Sequence, residues 1–180
     1  MEHPNFQPRR IAIVGATGSG KSTLASQISV RLGIPHVDMD ELNWLPNWTN
    51  TTDDEFIVKV QAALSGESWV TAGNYRRVRP IVWGRAELLV WLDYPLPYVT
   101  VRLLKRTLRR IITREELWSG NRESFRTQFL HRDSLFLWLF QTHPRHRREY
   151  PAMLTLPEYR HLRLLRFYLP TQTQAWLVKL

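Results

Sequence analysis

Eight consecutive residues, Gly15-Ala16-Thr17-Gly18-Ser19-Gly20-Lys21-Ser22, fit the pattern G-x-x-x-x-G-K-[ST] without a gap. The apolar run Ile11–Val14 precedes them and an amphipathic run follows, the strand–loop–helix context that a phosphate loop requires. Glycines let successive backbone N–H groups turn inward around an anion, and the helix beginning near Lys21 aims its positive end at the same point. Lys21 is then placed for the β and γ phosphates and the Ser22 hydroxyl for Mg²⁺, with Thr23 completing the cradle, so ATP and Mg²⁺ are the expected cofactors. The loop does not say where the phosphoryl group goes. The GTPase strings D-x-x-G and N-K-x-D do not occur, and Tyr94 follows Asp93 where motor-type ATPases usually place a glutamate. What remains is a kinase that passes the γ-phosphoryl to a second bound molecule, by positioning and charge neutralisation.

Asp38 and Asp40 end the second apolar segment, in "HVDMDELNW". In an open parallel sheet the carboxyl ends of strands face the ligand crevice, and alternation sends both aspartates to one side. One could serve the Mg²⁺ shell (Asp38) and the other accept a proton from an acceptor hydroxyl (Asp40), although helix capping suits aspartate equally. "TAGNYRR" ends the third segment, where Asn74, Tyr75 and Arg76 offer hydrogen bonds, stacking and charge to an acceptor, or a turn; Trp44 lies near the same place. Asp93, closing the apolar run "LLVWL", is the further metal candidate. The segment "ITREELWSGNRESF" breaks a helical pattern inside an arginine-rich block, and a mobile segment there could close over the nucleotide and exclude water. Arg110, Arg114 and Arg122 are its candidates for charge neutralisation. "HRD" at 131–133 lacks the asparagine of a protein-kinase catalytic loop, and His143 and His146 lack a metal-ligand set.

To position these groups the chain needs an α/β architecture. Apolar segments at Arg10–Val14, His36–Met39, Trp69–Ala72, Leu88–Asp93 and His161–Phe167 read as parallel strands. Helical patterns fall at Lys21–Leu32, Asp53–Ser65, Arg76–Trp83, Pro97–Thr113 and Gln172–Val178, with a block over Ser124–Met153 broken by "THP" at 142–144. Within Pro97–Thr113 the spacing of Val101, Leu104, Leu108 and Ile111 predicts a buried stripe, with Arg102, Lys105, Arg106, Arg109 and Arg110 opposite. The expected fold is a three-layer P-loop sheet of about five strands with helices on both faces, as a single domain over 10–180. A helical lid-like region spans about 114–155, and residues 1–9 form a short loose tail.

The 180 residues suffice for one core, and 43% hydrophobic with 23% charged is ordinary for a globular chain. No window approaches the roughly 18 apolar residues of a membrane span, and the start lacks a signal-peptide core, so the cytoplasm is expected and no membrane partner. The absence of cysteine excludes disulfides, a thiol nucleophile and a thiolate zinc site. Net charge is +9, and the stretch from Arg102 to Glu149 supplies +7 of it, almost entirely as arginine. Such a block could face nucleic acid, an acidic membrane surface or the phosphates of a small ligand.

The ordered set "GATGSGKST", "DELNW", "GNYRR", "VWLDYP" and "ELWSGNRES" resembles a bacterial group of adenylate-kinase-like P-loop proteins often labelled topology modulation proteins. The resemblance covers about residues 10–178. It implies a nucleoside-monophosphate-kinase-like fold, with ATP on Gly15–Ser22, the acceptor facing Asp40 and the Gly73–Arg76 turn, and a lid at 114–122. The chain departs from that pattern at Ala72, where an aspartate commonly precedes Gly-Asn-Tyr. The leading expectation is Mg²⁺–ATP-dependent phosphoryl transfer to a small acceptor, a nucleotide as first guess. A nucleic-acid-binding P-loop ATPase using the 102–148 region, and a non-catalytic nucleotide-binding protein, are the alternatives.

Overall fold

The computed structural model describes residues 7–129 and 134–180. The "HRD" string and the first six residues lie outside the described residues. Five parallel strands form the central sheet: β1 (Arg10–Gly15), β2 (His36–Asp38), β5 (Trp69–Ala72), β6 (Leu88–Leu92) and β7 (Arg163–Phe167), in the order β2-β5-β1-β6-β7. β3 (Trp44–Leu45) and β4 (Thr49–Asn50) make a separate antiparallel hairpin. The expected α/β layering with five strands is the observed one. Each expected strand is present within two residues of its expected limits, and the apolar runs of β1 and β6 leave those two little choice of register.

Alternation along β1 sends side chains into two cores. Ile11 and Ile13 pack with α1 (Lys21–Leu32), α5 (Leu96–Thr113) and α8 (Pro170–Lys179) on one face. Ala12 and Val14 pack on the other with α3 (Asp53–Ala63) and α4 (Arg79–Arg85), around Phe56, Val60, Trp69 and Trp83. The short helices α2 (Met39–Asn43) and α6 (Phe125–Phe129) sit at the crevice end. Thr52 caps α3 through the Glu55 amide at 3.3 Å, and Ser134 caps α7 (Leu135–Leu154) through the Phe136 amide at 3.2 Å.

Two expectations about helices need correction. The helix is not broken at Thr142–Pro144: α7 runs for 20 residues with Pro144 and Pro151 inside it. Each proline forfeits one ladder bond, but α7 is held on both sides of Pro144. Leu139 is buried in one core and Tyr150 in the other, so α7 crosses the carboxyl edge of the sheet like a bar. In α5 the buried residues are Val99, Leu103 and Thr107, not the stripe Val101, Leu104, Leu108 and Ile111. Periodicity found an amphipathic helix but not which side faces inward. The sheet and the glycine loop claim the side bearing Leu103, whose truncation to alanine would cost about 2–5 kcal/mol.

Candidate active site

The loop after β1 sits at the sheet's centre, between β5 and β6, where ligands of such sheets bind. Gly18 and Gly20 hold φ of 80° and 94°, which a side chain resists. They also meet α5 closely: a Cβ on Gly18 would lie 2.8 Å from the Val99 carbonyl, and one on Gly20 2.9 Å from Arg102 Nη2. The loop is thus drawn tight by its own turn, with Ser19 N–H donating to the Ala16 carbonyl at 3.1 Å, and by α5 lying against it. Lys21 Nζ donates to the same carbonyl at 3.0 Å. Ser22 and Thr23 are exposed on the first turn of α1. The Ser19 hydroxyl is buried with no hydrogen-bond partner.

Asn74 does not face an acceptor. Its Nδ2 donates to the Gly15 carbonyl at 2.6 Å, and its Oδ1 accepts from Gly15 N–H at 3.2 Å and from the Tyr150 hydroxyl at 3.2 Å. It is a strut between the loop, the β5 turn and α7. Tyr75 donates its hydroxyl to Asp40 Oδ1, Arg76 is exposed, and Trp44 is partly buried edge-on to Trp48 with centroids 5.3 Å apart.

The electrostatic centre joins three residues far apart in sequence. Burial lowers Lys21 to about 8, against the pull of the Asp40 carboxylate and with the push of Arg106. Lys21 is partly exposed as a residue, but its ammonium end is crowded and poorly hydrated. Burial raises Asp40 above the usual carboxylate range, and Asp38 adds to this; Tyr75, Lys21 and Arg106 oppose it. Desolvation lowers Arg106, whose Nε is buried without a partner. Arg106 was not singled out from the sequence. Its signal lay in the i, i+4 pair with Arg102, on the edge of α5 beside Val99 and Leu103.

The arginines expected near the phosphates lie elsewhere. Arg110 pairs with Glu123 at 3.0 Å and Glu115 at 3.3 Å, Arg114 caps α5 at φ 50°, and Arg122 is exposed beside Glu116 at 3.4 Å. Asp38 and Asp93, expected to serve Mg²⁺, have both carboxylate oxygens in hydrogen bonds. Asp38 Oδ1 caps the Asp40 amide at 2.9 Å and its Oδ2 accepts from Trp118 Nε1 at 2.9 Å. Asp93 Oδ1 accepts from Arg147 Nε at 2.6 Å, and its Oδ2 from Arg166 Nη2 at 2.6 Å.

The "ELWSGNRES" segment straps the β3–β4 hairpin. Asn121 Oδ1 accepts from Trp48 N–H at 2.8 Å, its Nδ2 donates to the Leu45 carbonyl at 2.9 Å, and Ser119 Oγ donates to the Trp44 carbonyl at 2.7 Å. Together with the Trp118–Asp38 bond, this joins the segment to the residues flanking Asp40. His143 and His146 are buried on α7. His143 Nε2 lies 2.9 Å from the Tyr94 carbonyl, and burial pushes His146 down to about 3, so it is neutral.

No family model matches the sequence, and no curated protein matches it. Solved structures do resemble it. A gluconokinase from Sinorhizobium meliloti 1021 is 18% identical, with TM-score 0.52 over 96% of this chain and 93% of that one. A shikimate kinase from Acinetobacter baumannii, in complex with shikimate, is 15% identical, with TM-score 0.55 over 95% and 89%. A deoxyadenosine kinase from M. mycoides with bound dATP is 13% identical, with TM-score 0.50 over 95% and 98%. At these identities the likeness is one of architecture, and the chain has the fold of small-molecule P-loop kinases.

Proposed function

We propose that the protein transfers the γ-phosphoryl of ATP to a hydroxyl of a small molecule. The observation that carries this reading is the convergence of Lys21, Arg106 and Asp40 beside the glycine loop. Lys21 and Arg106 neutralise charge on the transferring group, and the loop amides bind it. Asp40 takes the proton of the attacking hydroxyl as its oxygen bonds to phosphorus and the bond to the ADP oxygen breaks. A carboxylate more basic than usual suits that step; a phosphate acceptor is already anionic and would be repelled. Mg²⁺, held with Ser22, would further neutralise the triphosphate. The strap over Asp40 keeps water from taking the acceptor's place.

A nucleotide acceptor is the second reading, favoured by exposed Arg76 on the β5 turn. The nucleic-acid reading is weakened, because Arg106 is buried and Arg110 and Arg147 are spent on carboxylates. The test is ADP release with a panel of sugars, sugar acids, nucleosides and nucleoside monophosphates. A hydroxylated substrate that Lys21→Ala fails to turn over supports the proposal. Undiminished turnover in that variant, or phosphorylation of monophosphates alone, contradicts it.

A further inference from the structure

Helix α5 divides its surface three ways. Val99, Leu103 and Thr107 are buried, and Arg102 and Arg106 face the glycine loop and its neighbours. The remaining side carries Val101, Leu104, Leu108 and Ile112, at 51%, 38%, 38% and 79% exposure. Spacing of three and four makes these one stripe, of the kind a helix ordinarily buries. The helix holds five basic residues and no acidic one over its 18 residues. Lys105 borders the stripe, exposed and without an ion pair among the described residues, and Arg109 lies next along the same edge, paired with Glu115 at 3.0 Å. On α7, which packs on α5, Leu137, Trp138 and Phe140 are also about half exposed.

Three kinds of partner could cover such a face, and charge and chemistry separate them. A second copy would bring another chain of charge +9 against the same basic edge, and four aliphatic side chains fall short of the roughly 800 Å² per partner that stable interfaces bury. Nucleic acid would meet the cations but has little use for an aliphatic row. A lipid surface takes both: the apolar stripe enters the boundary between headgroups and acyl chains while flanking cations meet anionic headgroups.

We propose that the outer face of α5 docks this protein on an anionic lipid surface. Among the described residues no helix is long and apolar enough to cross a membrane, so the attachment is peripheral. The stripe points away from the side of α5 that meets the glycine loop, so docking leaves nucleotide access open. The proposal does not depend on the phosphoryl acceptor.

The experiment is co-sedimentation of the full chain with vesicles of phosphatidylcholine alone and of phosphatidylcholine with phosphatidylglycerol, across a salt series. Binding at low salt should be at least about tenfold stronger to the anionic vesicles and fall as salt rises. The double variant Leu104→Glu/Leu108→Glu should lose it by a similar factor, with an unchanged circular-dichroism spectrum. Ile112→Glu, at the most exposed position, is the milder variant and should weaken it in the same direction. Equal retention by both vesicle types, or retention that neither variant weakens, overturns the proposal. A dimer in light scattering that the variants dissolve, or duplex DNA bound through the same residues in place of vesicles, overturns it too.

Discussion

The nucleotide side and the acceptor side of the crevice differ in how well their polar groups are satisfied. At the glycine loop, Ser19 Oγ and Arg106 Nε are buried without partners, and Lys21 has only a neighbouring carbonyl. Around Asp40 the carboxylates are engaged: Asp38 by a backbone amide and Trp118, Asp40 by Tyr75. On the first side the Lys21 ammonium is desolvated with a single carbonyl partner, so an anion there would supply it with a charge partner. The second is tied together by hydrogen bonds to the strap and the β5 turn, with Asp40 held through Oδ1.

The largest expected effect separates two arginines one helical turn apart. Arg106→Ala should lower kcat/KM for ATP by about 10²–10³, the cost of losing one charge-stabilising donor. Arg110→Ala should instead destabilise the fold by about 3 kcal/mol, because it strands Glu123, whose side chain is only 3% exposed. Steady-state kinetics and urea titration on both variants check this. Equal kinetic losses would erase the distinction.

Asp40→Asn comes next, with kcat reduced about 10²-fold and ATP affinity retained. Because Asp40 is raised by burial, wild-type kcat should fall as pH drops through a value above the ordinary carboxylate range, and the variant should lose that limb. A pH–rate profile reads both effects.

Lys21 gives a smaller, pH-dependent signature. With its ammonium lowered to about 8, the free protein carries a neutral Lys21 above that pH. A bound triphosphate favours the charged form, so binding above pH 8 should take up a proton and weaken as pH rises. Calorimetry in buffers of different ionisation heats measures the uptake; proton release on binding would have the wrong sign. The smallest effect belongs to Trp118→Phe, which frees Asp38 from the strap. ATP hydrolysis without acceptor should rise severalfold, as water is excluded less well.

The centre of the sheet was legible because β1 and β6 are nearly uninterrupted apolar runs, and α1 begins where the glycine pattern ends. The glycine loop between β1 and α1 was legible because its turn is local to eight residues. The rest of the site depends on rotations and packing that no local pattern carries. Which α5 arginine points inward is set by Val99 and Leu103 against Gly18, and the apolar stripe that spacing reveals lies outside. Asp93 sits where a strand-end carboxylate was expected, yet Arg147 and Arg166, 54 and 73 residues away, claim its oxygens. Continuity of α7 through Pro144 follows from its anchoring in two cores, which no single window of sequence contains. The resemblance stated from the motifs implied the architecture that is observed.

Titration of Mg²⁺–ATP into wild-type protein, Lys21→Ala and Arg106→Ala by isothermal calorimetry tests the central claim most directly. One nucleotide should bind per wild-type chain, with affinity at least about tenfold weaker in each variant, since each loses a charge-assisted contact. Absence of binding by folded wild-type protein, or equal affinity in all three, would contradict a phosphate site built from the glycine loop, Lys21 and Arg106.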